Sequence, residues 1–118
     1  MIIEPIPSPS FHEQSCRIGK HEWSVPRLVQ LSSDLQVFDL PIAHMNLYAE
    51  LGTYTLREFA GHVKAVINAD MTKPIIIDED GEIMDGRHRV MRAILEGIHS
   101  VKAVRFLENP TPCRVNEE

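Results

Sequence analysis

Apolar positions along this chain follow two periods, one typical of helices and one typical of strands. After Thr55 they recur at a spacing near 3.6 residues, which places them on one helix face: Leu56, Phe59, Ala60, Val63, Val66 and Ile67. Thr55 and Glu58 have the spacing of a capping box, so we expect the helix to begin there. Residues 74–78 instead include three successive isoleucines, which indicate a buried strand.

Turn residues divide the rest of the second half into further elements. Asp80-Gly81 predicts a turn into a second short strand over residues 82–84. A helix then runs from Gly86 or Arg87 to about Glu96, and its dense apolar residues predict that it is mostly buried. Gly97 ends it as a C′ glycine, and residues 101–106 form a last strand.

The first half of the chain gives weaker signals. Residues 16–23 are interpreted as a hairpin, and Ser24 can cap a short helix that tolerates Pro26 in its first turn. A strand over residues 36–40 is expected to end at Pro41, because proline cannot continue a ladder. The domain prediction is a flexible arm over residues 1–12, one domain over residues 13–107, and an irregular tail over residues 108–118.

Composition and charge narrow the class of partner. An apolar fraction of 43% and a net charge of −5 fit a globular domain and do not favour DNA as a partner. No membrane span or signal peptide is apparent, so a cytoplasmic protein with two reduced cysteines is expected. Acidic residues dominate positions 70–85 and basic residues dominate positions 87–105, which suits a compact anion such as a nucleotide. The structural alternative is alternating solvated faces that pair with each other.

The candidate site lies where the second short strand gives way to the helix. A helix start offers unpaired N–H groups and partial positive charge, which suit a phosphate. Gly86 would let the backbone approach it, Arg89 could grip two phosphate oxygens, and His88 could donate a hydrogen bond or transfer a proton.

Each of these residues also has a purely structural interpretation. Gly86 could serve only a tight turn, and His88 could be a hydrogen-bonded core histidine. Arg89 could pair with Asp85 one turn earlier, and an equivalent surface pair is preferred for Arg92. Asp85 is interpreted as a helix cap in preference to a catalytic acid.

Metal sites receive little support from residue spacing. Residues 78–89 lack the ligand pattern of a calcium loop, since the twelfth position is Arg89. The other histidines show no metal-ligand spacing, and His62 is interpreted as a surface partner of Glu58. Mg²⁺ with a nucleotide would still need carboxylates, and four candidates stay unranked: Asp78, Asp80, Glu82 and Asp85.

The order strand, Asp-Gly turn, strand, Gly-x-His-Arg, apolar helix, glycine and strand resembles the ParB/sulfiredoxin superfamily, most strongly over residues 73–106. The resemblance implies a small α+β fold, a mixed β-sheet packed by helices, as in a stand-alone ParB-like N-terminal domain. It implies phosphate binding by Gly86, Arg87, His88 and Arg89, with His88 and Asp85 as catalytic candidates. The ligand it implies is CTP, ATP or ADP, with Mg²⁺.

The resemblance also separates the activities of that superfamily. Sulfiredoxins carry a cysteine just before the His-Arg pair, and this chain has Arg87 there, so reductase activity is not expected. The chain ends at Glu118, so a full partition protein with a helix-turn-helix is not expected either. The leading hypothesis is a nucleotide-binding module with NTP hydrolysis or phosphotransfer. The alternatives are a DNA-directed protein, either a nuclease or a partition accessory, and a non-catalytic protein-interaction domain. Oligomeric state stays open.

Overall fold

A computed structural model describes residues 14–48 and 52–116, and the arm predicted for residues 1–12 lies outside them. The described residues form three α-helices, one 3₁₀ turn and two β-sheets, which confirms the α+β class. The strands are β1 (Ser15–Ile18), β2 (His21–Ser24), β3 (Phe38–Pro41), β4 (Ile75–Ile77), β5 (Ile83–Asp85), β6 (Ser100–Arg105) and β7 (Arg114–Val115). The helices are α1 (Val25–Ser32), α2 (Leu56–Ile67) and α3 (Arg87–Glu96), and the 3₁₀ turn is Ile42–His44.

The larger sheet is mixed and has the order β3-β6-β4-β5. Its central pair, β4 and β6, is parallel, and both outer strands run antiparallel to their neighbours. All three isoleucines of β4 are at most 3% exposed, as the apolar run predicts for a central strand. Pro41 is the last residue of β3 and does not lie beyond it; β3 is an edge strand, where proline is tolerated.

The smaller sheet is antiparallel, with the order β1-β2-β7. It contains the predicted hairpin, which turns at Gly19. The prediction that residues 108–118 are irregular does not hold at β7. There, Cys113 N–H donates to Glu22 O (2.9 Å) and Asn116 N–H donates to Lys20 O (2.7 Å). A two-residue strand whose partner is remote in sequence leaves no local pattern. Residues 14–48 and 52–116 therefore form two sheets, and the sequence predicted one.

The predicted N-terminal caps of α1 and α2 are confirmed. The Ser24 hydroxyl accepts the Arg27 N–H, and Thr55 and Glu58 form the reciprocal capping box. At the C-terminus of α3, Gly97 has a φ of 69°. This left-handed conformation favours glycine, because glycine has no Cβ.

Two clusters of buried side chains form the core, and they leave the outer sides of α2 and α3 uncovered. In α3 only Val90 and Ala93 are buried, so the prediction that this helix is mostly buried is wrong. Several apolar side chains of both helices are instead exposed, and we call this surface the α2–α3 apolar face: Leu56, Phe59, Val63, Ile67, Ile94 and Leu95. None of the described helices is both long enough and apolar enough to cross a membrane.

Candidate functional site

The junction between β5 and α3 is built around Gly86, whose φ is 111°. A Cβ atom at this position would lie 2.4 Å from Ile75 Cγ2 and 2.7 Å from Ile75 Cβ. The backbone of the junction therefore packs directly on β4, and only glycine fits. Gly86 O accepts the N–H groups of Arg89 (3.0 Å) and Val90 (3.1 Å), which starts the helix. The N–H groups of the first helical residues lack intrahelical acceptors.

Arg89 has a structural role at this junction. Its Nη1 donates to Pro74 O (2.8 Å), and its Nη2 lies 3.5 Å from Asp85 Oδ2. The two side chains are 19% and 15% exposed, so the contact is half-buried. Arg89 thus joins α3 to the start of β4 and to the end of β5. It borders a neighbouring cavity of about 310 Å³ and does not line the cavity that Arg87 and His88 share.

Asp85 does not cap α3, which corrects the sequence interpretation. The N-cap residue is Gly86, and no side chain makes a cap hydrogen bond there. Because β5 extends through Asp85 and the left-handed Gly86 follows, the helix begins one residue later than a cap at Asp85 requires. The Asp85 carboxylate faces Arg89 and also borders the cavity that holds His88.

His88 is hydrogen-bonded to a second histidine. Its Nε2 lies 2.8 Å from Nδ1 of His62 on α2, and the centroid of the Tyr54 ring lies 4.6 Å from that of the His62 ring. Burial, together with the nearby His62, lowers the pKa of His88 below its ordinary value of 6.5. Both effects favour the neutral form of His88. The predicted surface pair of His62 with Glu58 is wrong, since Glu58 belongs to the capping box.

Arg87 is the exposed cation of the junction. It forms no ion pair with any residue in the two described ranges. It lines a cavity of about 360 Å³ between the hairpin and the start of α3. The other titratable or thiol side chains on that cavity wall come from four elements: Cys16, Arg17, His62, Asp85 and His88. Sequence reasoning found three of these six residues and missed Arg17, Cys16 and His62.

Cys16 lies on the wall of this cavity, although in sequence it is far from Arg87. Burial raises the pKa of its thiol to about 11, so the thiol is protonated at neutral pH. Both cysteines are free, as expected. Cys113 differs from Cys16, because its exposed Sγ accepts from Ser24 N–H (3.4 Å) and from Arg27 Nη1 (3.3 Å).

The carboxylates proposed as magnesium ligands are not grouped. Asp78 is buried, and its Oδ1 accepts the N–H groups of Asp80 (2.9 Å) and Glu82 (2.8 Å), which fixes the turn before β5. Within residues 14–48 and 52–116, no three His, Cys, Asp or Glu side chains are placed to hold a metal ion.

Comparison with known proteins finds a relative of this chain. Over 75 residues the chain is 31% identical to the ParB-like nuclease domain-containing protein YnaK of Escherichia coli (strain K12). The matched region covers 63% of this chain and 86% of that protein. No protein-family model matches the chain, and no solved structure gives a significant match. Because the match exceeds 30% identity and spans most of the relative, the chain belongs to the ParB-like nuclease domain proteins.

Proposed function

We propose that this ParB-like protein binds a nucleotide through its phosphates at the turn formed by Gly86, Arg87, His88 and Arg89, and that it is a stand-alone member of the ParB/sulfiredoxin superfamily. The observation that carries the proposal is Arg87, an exposed guanidinium without a carboxylate partner among the described residues, in the first turn of α3. A phosphate there meets a full positive charge and the positive end of the helix dipole. The cavity beside Arg87 holds about 360 Å³, within the usual range of ligand pockets.

The four residues divide the work in this proposal. Arg87 binds phosphate oxygens. His88, whose pKa is lowered by burial and by His62, donates a hydrogen bond to them or takes a proton. Gly86 and Arg89 build the turn through their contacts with Ile75 and with Pro74. Either CTP or an adenine nucleotide fits this scheme, with Mg²⁺ entering on the nucleotide. His88 and Asp85 border the same cavity, which extends the proposal to slow hydrolysis or phosphotransfer.

Calorimetric titration tests the proposal, with CTP, ATP and ADP each added in the presence of Mg²⁺. Loss of one charge-assisted contact costs about 1.5–3 kcal/mol, so Arg87→Ala should weaken binding by roughly 10- to 150-fold. Arg114→Ala is the matched control, because Arg114 is exposed on β7 and borders none of the cavities described above. The proposal fails if the wild type binds no nucleotide, or if the two variants bind equally well.

A protein-interaction role is a second candidate, favoured by the α2–α3 apolar face. Its six side chains are between 43% and 92% exposed. Isolated exposed apolar side chains are normal on a monomer, but a group of large ones on two adjacent helices is typical of a protein-interaction surface. Charged residues of both signs lie on the same two helices, with Arg57 and Lys64 against Glu58 and Glu96, so these four charges sum to zero.

Sedimentation equilibrium tests this second candidate. We expect a concentration-dependent dimer that Leu95→Glu disrupts; at 78% exposure, Leu95 adds little to folding. Leu107→Glu is the control, since Leu107 is 92% exposed and lies outside the face. A wild type that stays monomeric at high micromolar concentration contradicts the candidate.

A DNA-directed role is suggested by the family resemblance, by the basic residues that dominate positions 87–105, and by the name of the relative, which includes a nuclease domain. The net charge of −5 does not favour it. A DNA-binding titration across salt concentrations measures it directly. Binding through phosphate contacts must weaken steeply as salt rises, and an affinity that salt leaves unchanged rejects this role.

A further inference from the structure

Arg17 is a second exposed arginine without a carboxylate partner among the described residues. It lies on β1, where it faces Glu22 across the hairpin without forming an ion pair. Its Nε donates to Gly19 O (3.1 Å), which leaves the terminal nitrogens of the guanidinium for other acceptors. The hairpin thus places Arg17, which is remote in sequence from Arg87, on the wall of the same cavity.

Arg17 and Arg87 border the same two cavities. One is the cavity of about 360 Å³ that also contains His88, and the other is a neighbouring cavity of about 170 Å³. Only Ile83 joins the two arginines in lining both, so the boundary between the cavities is defined by two cations and one apolar residue. Two like charges on a shared boundary repel each other, and an anion between them would remove that cost.

The nearby carboxylates do not neutralise this pair of arginines. Glu82 lines the smaller cavity but forms no ion pair with either arginine. Asp85 lines the larger cavity, and its carboxylate faces Arg89. The positive charge at the boundary is therefore available to a ligand.

We infer that Arg17 is a second phosphate-binding residue, so that the site takes nucleoside di- or triphosphates in preference to monophosphates. The inference rests on the proposed function, in which Arg87 holds the first phosphate. Two guanidiniums from separate elements can each bind a different phosphate group in bidentate fashion. A monophosphate uses only one of them. A polyphosphate chain bridges both and relieves their mutual repulsion.

To test the inference, we would measure the affinity for inorganic tripolyphosphate and for the mono-, di- and triphosphate forms of the nucleotide that the wild type prefers. Arg17→Ala should weaken triphosphate and tripolyphosphate binding by about tenfold or more, because a charge-assisted contact is lost, and should change monophosphate binding by less than about threefold. Arg17→Lys should recover part of the loss, since a lysine keeps the charge without the bidentate fork. Lys20→Ala is the control, because Lys20 is an exposed cation of the same hairpin that borders neither cavity.

The outcomes separate this inference from the proposal beneath it. A wild type that binds neither nucleotides nor tripolyphosphate overturns both. If the wild type binds, but Arg17→Ala weakens binding no more than Lys20→Ala does, only the role of Arg17 is overturned. Equal loss for mono- and triphosphates in Arg17→Ala overturns the preference for longer phosphate chains. Loss confined to the longer phosphates, with Lys20→Ala unchanged, supports the inference.

Discussion

Replacing Gly86 with alanine tests whether the first glycine of the motif is required by the fold. The new Cβ would lie 2.4 Å from Ile75 Cγ2 and 2.7 Å from Ile75 Cβ, and Ile75 is completely buried in β4. Neither atom belongs to the far end of a flexible side chain, so the strand or the helix start must move. Overpacking of this kind costs about 1–3 kcal/mol. The φ of 111° adds about 1–2 kcal/mol for a residue with a Cβ.

The expected destabilisation is therefore about 2–5 kcal/mol, a large part of the roughly 5–15 kcal/mol that stabilises a domain. Gly97→Ala is the matched control. Gly97 also has a left-handed φ, of 69°, but a Cβ there would meet nothing within 4 Å. It should cost only the conformational part, about 1–2 kcal/mol. The difference between the two variants isolates the contact with Ile75.

Urea unfolding followed by circular dichroism measures both variants. With a denaturant slope of about 1–3 kcal/mol per molar, the overpacking part of about 1–3 kcal/mol places the unfolding midpoint of Gly86→Ala roughly 0.3–3 M below that of Gly97→Ala. Equal midpoints would refute the reasoning, because they would mean that the helix start can move away from β4 at no cost. Gly86 could then be assigned to ligand approach alone.

Three further predictions follow from the contacts of individual side chains. Asp78→Ala should lower the free energy of unfolding by about 2–3 kcal/mol in urea titrations, because the two partly buried hydrogen bonds that the Asp78 carboxylate accepts are lost. Asp80→Ala, at an exposed position, should change it little. At neutral pH, Cys113 should react with iodoacetamide much faster than Cys16. The Ser24 N–H and the Arg27 guanidinium lower the pKa of Cys113, whereas burial raises the pKa of Cys16 to about 11. Peptide mass spectrometry measures both rates, and equal rates would contradict the prediction. The NMR titration midpoint of His88 should lie below 6.5 and rise in His62→Gln. Because the unfolded chain then binds a proton that folded His88 does not, this histidine should make stability fall as the pH drops from about 7 toward its folded pKa, and a midpoint at or above 6.5 would exclude that effect.

Sequence reasoning succeeded where the cause of a structure is local. Capping residues identify helix starts within one turn, and a left-handed glycine identifies a helix end, so α1, α2 and the end of α3 were predictable. Three adjacent isoleucines identify a strand that is covered on both faces. In each case the residues that decide the outcome are neighbours along the chain.

The site was only half predictable, because its other half comes from remote parts of the chain. His62 and His88 are 26 residues apart and belong to different helices, and no residue pattern joins them. Arg17 and Cys16 reach the cavity through a hairpin whose position depends on packing against β5. The local interpretation of His62 as a partner of Glu58 was reasonable in spacing, yet the capping box already uses that carboxylate.

The geometry changes what the Gly-x-His-Arg motif can indicate about function. Gly86 and Arg89 are held by the packing of α3 against β4, so selection for stability alone would retain both. Loss of binding in a variant of either residue would report folding before it reported ligand contact. Arg87, between Gly86 and His88, is not held by such packing. Its side chain is exposed and has no carboxylate partner among the described residues. In the proposed function, anion binding therefore depends on Arg87 at that position and on Arg17, which lines the same two cavities.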